Sequence, residues 1–157
     1  MASIVITSQE EIEAIIAKCD VCYVGLADTD GTPYVLPMNF GYKDGVIYLH
    51  SGQEGHKIDI LKKNNRVCIT FCSNDRAIKF QSEQVACSYT MKSKSVIVQG
   101  TVIFEEDFDK KVEMLNIFMK NYSDREFKYS TPAINNVKVW KVDINNMTGK
   151  AFGFRSR

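Results

Sequence analysis

The stretch LHSGQEGHKIDIL, residues 49–61, gathers two histidines, a serine, a lysine and two glycines in one short span. It lies where the strand-like run Val46-Ile47-Tyr48-Leu49 gives way to a helix-like pattern. Backbone N–H groups at a helix start point outward and carry partial positive charge. A phosphate is bound there by geometry and by dipole together. Lys57 adds a full charge at a position where a lysine is otherwise disfavoured. Ser51 offers a hydroxyl, and Gly52 and Gly55 let the backbone approach a ligand closely. The Walker pattern G-x-x-x-x-G-K-[ST] is absent. Local chemistry therefore leaves two readings: a phosphate cradle, or Ser51 as a helix cap and Lys57 as a solvated charge. His50 has a side chain whose ordinary pKa, near 6.5, suits proton transfer. Its plainer reading is a strand-end histidine bonded for structure. His56 is expected to face solvent.

Other chemistries find less support. Among five cysteines, Cys19 and Cys22 form a C-x-x-C, and Cys68 and Cys72 are four apart in VCITFC. Four residues of strand cover roughly 13 Å, whereas two ligands of one zinc lie within about 4 Å. Buried thiols in a reducing compartment are the expectation, and no metal site is assigned. No βαβ unit follows the C-x-x-C, so a thioredoxin-like site is not expected. There is no G-x-S-x-G, and Ser51 lacks an acidic third partner for nucleophilic hydrolysis. A formal net charge of +1 and the lack of a basic aromatic stripe speak against nucleic acid. The start MASIVITSQEE has neither a basic n-region nor a long apolar h-region, and no apolar run is long enough to span a bilayer. A cytoplasmic protein with no membrane partner is expected.

The elements that must position these residues follow from pattern. The length of 157 residues and 45% hydrophobic content predict a single domain over 1–157. Ser8 and Glu11 have capping-box spacing, and Ile12, Ile15 and Ile16 repeat on one helical face, with an end near Lys18. Asp30-Gly31 and Lys43-Asp44-Gly45 mark hairpin turns, which predicts three strands in a meander. Pro33 and Pro37 make the second of these an edge strand or one bulged at Pro37, leaving backbone near Met38 and Asn39 free to bind.

A short helix over EGHKIDILKKNN turns Ile58 and Leu61 inward, and RVCITFC is a fourth strand. VACSYTM and SVIVQGTVIFE read as two strands, with Gly100 a bulge or bend. A helix over DFDKKVEMLNIFMKNY aligns Phe108, Val112, Leu115 and Phe118, with Met114 and Met119 in core or dimer packing. NVKVWKVDI is the last strand, and residues 145–157 show no periodicity. Short strands with Asp-Gly turns and few helices predict a mainly β (α+β) fold, an antiparallel β-barrel with flanking helices.

The run YVLPMNFGYKDGVIYLHSGQEGHKIDILKKNNRVCITF resembles the FMN-binding split β-barrel family related to pyridoxamine 5′-phosphate oxidase. Within it, Pro37-Met38-Asn39-Phe40, Gly45-x-Ile47-Tyr48-x-His50-Ser51 and Gly55-x-Lys57 resemble the nitroimidazole-resistance branch. The resemblance implies FMN as cofactor, held at the interface of a homodimer. Backbone around Pro37, Met38 and Asn39 would meet the polar edge of the isoalloxazine. Tyr48, His50 and Ser51 would line ring and ribityl chain, and Ser51 and Lys57 would hold the phosphate. Ser95 matches a family serine, and His50 would face the substrate side and act in catalysis. Trp140 is a packing residue or lines the partner's pocket, and Lys150 and Arg155 could reach a neighbouring subunit's phosphate. The C-terminal arginine–histidine motif of the phosphate oxidases is missing, so oxidation of vitamin B6 phosphates is not expected. The function implied is FMN-dependent reduction of a small-molecule acceptor, for example a nitroaromatic. The alternatives are a flavin-storage protein or a haem-binding barrel.

Overall fold

The computed structural model describes residues 3–73, 77–79 and 84–154. Every strand pairing in it is antiparallel. Strand β1 (Ile4–Ile6) leads into helix α1 (Gln9–Ile16). The Ser8 hydroxyl accepts from Glu11 N at 3.4 Å, and Ile12, Ile15 and Ile16 are buried. Strands β2 (Cys22–Ala27), β3 (Pro33–Met38), β4 (Gly41–Lys43) and β5 (Val46–Gly52) follow, then helix α2 (His56–Lys63) and β6 (Arg66–Cys72). After β7 (Ala77–Lys79) come β8 (Thr90–Glu105), α3 (Phe108–Lys120), α4 (Thr131–Asn135) and β9 (Val137–Phe152).

The main path of the sheet is β3-β2-β6-β8-β9-β5-β4. Its two ends are halves of one extended run, parted by Asn39 and Phe40. Three residues of chain span at most about 11 Å, so the sheet curls until its ends meet. No ladder pairs β3 with β4 or β5 among the described residues, and this opening is the split of the barrel. The expected meander is therefore divided. Its first turn pairs β2 with β3 and its second pairs β4 with β5, at opposite ends of the path. Strand β3 is an edge, as its prolines require, and its register to β2 runs unbroken through Pro37. Asp44 and Gly45 both take positive φ, 49° and 76°, the conformation a two-residue hairpin turn demands.

Several elements differ from expectation. β8 is one 16-residue strand, because the polar stretch Ser93-Lys94-Ser95 stays in the ladder opposite Phe152-Ala151-Lys150. The VACSY stretch before it is no strand: Ala86–Ser88 forms a 3-10 turn in which the Ser88 hydroxyl donates to Val85 O. The bulge expected at Gly100 is present, with a register shift between Gln99 and Gly100. β9 runs to Phe152, well into the supposed aperiodic tail. Gly149 and Ala151 take its inner positions, and a Cβ on Gly149 would meet Ile6 Cβ at 2.9 Å. Small residues stand where α1 and β1 pack closest, which hides the alternation. Phe108 begins α3 and is exposed, while Lys111 is buried and donates from Nζ to Val137 O at 3.1 Å.

The core fills the barrel with Val24, Phe40, Ile47, Leu49, Ile58, Ile69, Phe71 and Trp140, among others. Met114 packs on a smaller cluster of Leu115, Ile134 and Val139. Cys19 and Cys22 are buried, and burial pushes the Cys22 thiol up to about 12. Cys68, expected to be buried, is exposed on β6 opposite Gly25 and Gln99. No helix among the described residues is long and apolar enough to cross a membrane.

Candidate functional site

A cavity of about 310 Å³ opens at the split. The end of β3 gives it Leu36, Pro37 and Met38, and the break after it gives Asn39; β5 gives His50, Ser51 and Gly52; α2 gives Lys57, and α3 gives Phe118. The structure thus brings together six of the residues singled out in the sequence, namely Pro37, Met38, Asn39, His50, Ser51 and Lys57. A larger groove of about 580 Å³ lies on β2, β3, β6 and β8, and it has neither a histidine nor a helix N-terminus.

Three features make the cavity suited to an anion. Gly55 is the N-cap of α2 with φ of 119°, and no side chain caps this helix. The first helical donors with acceptors are Ile58 N and Asp59 N, both on Gly55 O. The N–H groups of His56 and Lys57 precede them and are left over for a ligand. Lys57 is half-buried at the cavity wall, and among the described residues no carboxylate pairs with it. A Cβ added at Gly52 or Gly55 would meet nothing within 4 Å, so the wall there is bare backbone. Ser51 does not cap α2.

Ser51 is instead held by the core. Its Oγ accepts from Trp140 Nε1 at 3.2 Å and donates to Gly52 O at 2.8 Å. A hydroxyl has one proton, so donation to an incoming anion requires exchange of the Gly52 bond. Trp140 is fully buried in its own chain. This excludes the reading in which it lines a partner's pocket and gives it another task, the orientation of Ser51.

His50 is exposed in part, but its ring packs against Phe118, with centroids 4.6 Å apart and planes at 66°. This partial burial lowers the imidazole pKa from its ordinary value. Phe118 reaches His50 because α3 sits directly on Gly41 of β4, where a Cβ would meet Phe118 Cα at 2.5 Å. Beneath Asn39, its amide donates to Asp20 O at 3.1 Å. Tyr122, just beyond α3, donates its hydroxyl to the same Asp20 O and accepts from Phe40 N, each at 2.8 Å. Phe118 and Tyr122 were not singled out for the site. Phe118 reads in sequence as one more apolar residue of a helical stripe, and only its contact with β4 and β5 reveals its position.

The remaining candidates lie elsewhere. Tyr48 is on β5 opposite Gly41 and Lys141, outside the cavity lining, and burial raises its pKa. Ser95 pairs with Lys150, whereas Ser51 pairs with Lys138. Twelve positions of β9 separate those lysines, about 40 Å of strand contour. Ser95 is not among the residues that line the cavity. His56 turns away, with Nε2 3.6 Å from Asp28 Oδ2 and its ring edge-on to Tyr34. Lys150 is exposed on β9, and Arg155 lies outside the described residues. No group of three or more His, Cys, Asp or Glu among the described residues could hold a metal ion.

Residues 8–151 match the family model described as pyridoxamine 5′-phosphate oxidase. Among solved structures, the chain is similar to a protein from Bacteroides thetaiotaomicron named as a candidate 5-nitroimidazole antibiotic resistance protein. The two are 48% identical over 96% of this chain and 88% of that one, with a TM-score of 0.88. The fold is shared with the flavocytochrome Anf3 of Azotobacter vinelandii, at 22% identity, 98% and 70% coverage and a TM-score of 0.79. It is shared too with an FAD- and haem-binding protein of Mycobacterium smegmatis, at 15% identity, 98% and 75% coverage and a TM-score of 0.82. Among curated proteins none matches the chain.

Proposed function

Because the chain belongs to the pyridoxamine 5′-phosphate oxidase family, and because its cavity offers an uncapped helix N-terminus beside an unpaired lysine, we propose that it is an FMN-dependent oxidoreductase. The carrying observation is Lys57, half-buried at the start of α2 with no carboxylate partner among the described residues. The cavity residues fit a phosphate monoester bearing a flat, polar-edged ring. The α2 N-terminus and Lys57 hold the phosphate. The free edge of β3 at Pro37, Met38 and Asn39 faces the ring, and its unpaired backbone groups supply hydrogen bonds. When bound, FMN supplies the electron transfer, and the protein contributes binding, orientation and electrostatics.

His50 holds and moves the proton that a reduced acceptor needs. Its lowered pKa keeps the ring neutral near pH 7, able to accept a proton at one nitrogen and donate at the other. The acceptor is a small electron-poor molecule of the nitroaromatic type. Similarity to the Bacteroides protein supports that class. A cavity of about 310 Å³, open to solvent, covers only part of a flavin mononucleotide. A second copy of the chain closes the rest and brings its Ser95 and Lys150 near, so the functional unit is a homodimer.

Release of the cofactor from the purified protein, followed by chromatographic identification, tests the cofactor. FMN is expected; a Soret band from haem would overturn the reading. Turnover of reduced FMN with a nitroaromatic then separates an enzyme from a flavin-storage protein, which would bind FMN and show none.

A further inference from the structure

The Tyr122 hydroxyl joins three pieces of chain that are far apart in sequence. It accepts from Phe40 N and donates to Asp20 O, each at 2.8 Å. Asp20 lies in the turn between α1 and β2, and Phe40 lies at the break between β3 and β4. Asn39 Nδ2 donates to the same carbonyl at 3.1 Å, so Asp20 O receives two donors. Phe40 itself is fully buried and stacks edge-on to Phe71, with centroids 4.8 Å apart. The Tyr122 ring lies 5.5 Å from that of Phe118, which in turn meets His50 at 4.6 Å. Tyr122 does not line the cavity, yet it touches the segment carrying Asn39 on one side and the ring against His50 on the other.

We propose that Tyr122 is a positioning residue for the cavity, a strut that fixes the Asn39–Phe40 segment at the split so that the β3 edge meets the flavin ring in register. Among the described residues no ladder crosses the split there, so sheet pairing does not fix Asn39 and Phe40. A hydroxyl that both donates and accepts replaces the missing ladder bonds. The ring of Tyr122 backs Phe118, so one side chain couples the β3 wall to the α3 wall. This inference rests on the flavin reading above and adds a residue that acts on the ring end of the ligand, opposite the phosphate end at Lys57.

Tyr122→Phe keeps the ring and deletes only the hydroxyl. In this variant the Phe40 amide should exchange its hydrogen faster, while the β2–β3 amides around Val24 and Leu36 keep wild-type rates. Affinity for FMN and for riboflavin should fall together, by about three- to tenfold, as expected when the two hydrogen bonds lost hold the cavity wall and do not touch the ligand. A purely structural role would lower the melting temperature and leave both flavin affinities unchanged, and that outcome overturns the proposal. So does fast exchange of the Phe40 amide in the wild-type protein, which requires no variant. Wild-type protein that binds neither flavin overturns the flavin reading itself, a result distinct from equal affinities in wild type and variant.

Discussion

Trp140 Nε1 lies 3.2 Å from Ser51 Oγ, and this hydrogen bond runs from the fully buried core to the wall of the cavity. The two residues sit on neighbouring strands, since Leu49 is paired with Trp140 and Ser51 with Lys138. A buried indole N–H needs an acceptor, and Ser51 provides it. Ser51→Ala should therefore destabilise the protein by about 1–3 kcal/mol, the cost of an orphaned buried donor. Chemical denaturation followed by the fluorescence of this sole tryptophan measures it. A loss under a few tenths of a kcal/mol would mean that Nε1 finds another partner.

Gly41 sets how closely α3 approaches the barrel. Gly41→Ala places a Cβ 2.5 Å from Phe118 Cα and 2.9 Å from Phe118 N, so backbone must move. A stability loss of about 1–3 kcal/mol is expected from such overpacking. The His50 ring signals should also shift in an NMR spectrum, because Phe118 is displaced. Unchanged stability together with unchanged His50 shifts would show that α3 is not pinned there.

His50 should titrate below its ordinary value of about 6.5, since burial against Phe118 disfavours the charged ring. The folded pKa is lowered, so the unfolded chain binds more protons between the two values. The stability contributed by His50 is present above about pH 6.5 and is lost as pH falls through the folded pKa. NMR titration of the imidazole gives the folded pKa, and a value at or above 6.5 contradicts the burial argument. His50→Ala should keep FMN bound and lower turnover with a nitroaromatic by about 10²- to 10⁴-fold, the usual range for a lost general acid–base group. A variant that loses flavin but turns over normally when FMN is resupplied would make the histidine a cofactor ligand.

Much of this arrangement is legible in the sequence, where the chemistry is local. The Ser8 cap, the Asp44-Gly45 turn, the proline-marked edge at Pro37 and the Gly100 bulge are each set by a few adjacent residues. The residues from Pro37 to Lys57 that line the cavity are legible as a group because they come from one contiguous stretch. What stayed hidden depends on contacts distant in sequence. Gly149 conceals the end of β9 because Ile6 and Ile12 need that space. Phe118 reaches the cavity, and Tyr122 the Phe40 amide, only when α3 lands on Gly41. Ser95 belongs to the far end of the long β8–β9 ladder, where only a second chain could bring it to a cavity.

Lys57 is the cationic group at the phosphate end of the cavity, and its substitution separates phosphate binding from ring binding. A lysine in the first turn of a helix is unfavourable by about 0.3–1 kcal/mol unless an anion is near. Lys57→Ala should leave the apo protein's stability unchanged or slightly raised. A charge-assisted bond to phosphate contributes roughly 1.5–3 kcal/mol, so FMN binding should weaken by about ten- to a hundredfold. Titration of FMN and of riboflavin, which lacks the phosphate, into both proteins is the measurement. If Lys57 grips the phosphate, FMN affinity falls and riboflavin binds wild type and variant equally. An equal loss for both flavins would contradict this, for Lys57 would then shape the cavity and not grip a phosphate.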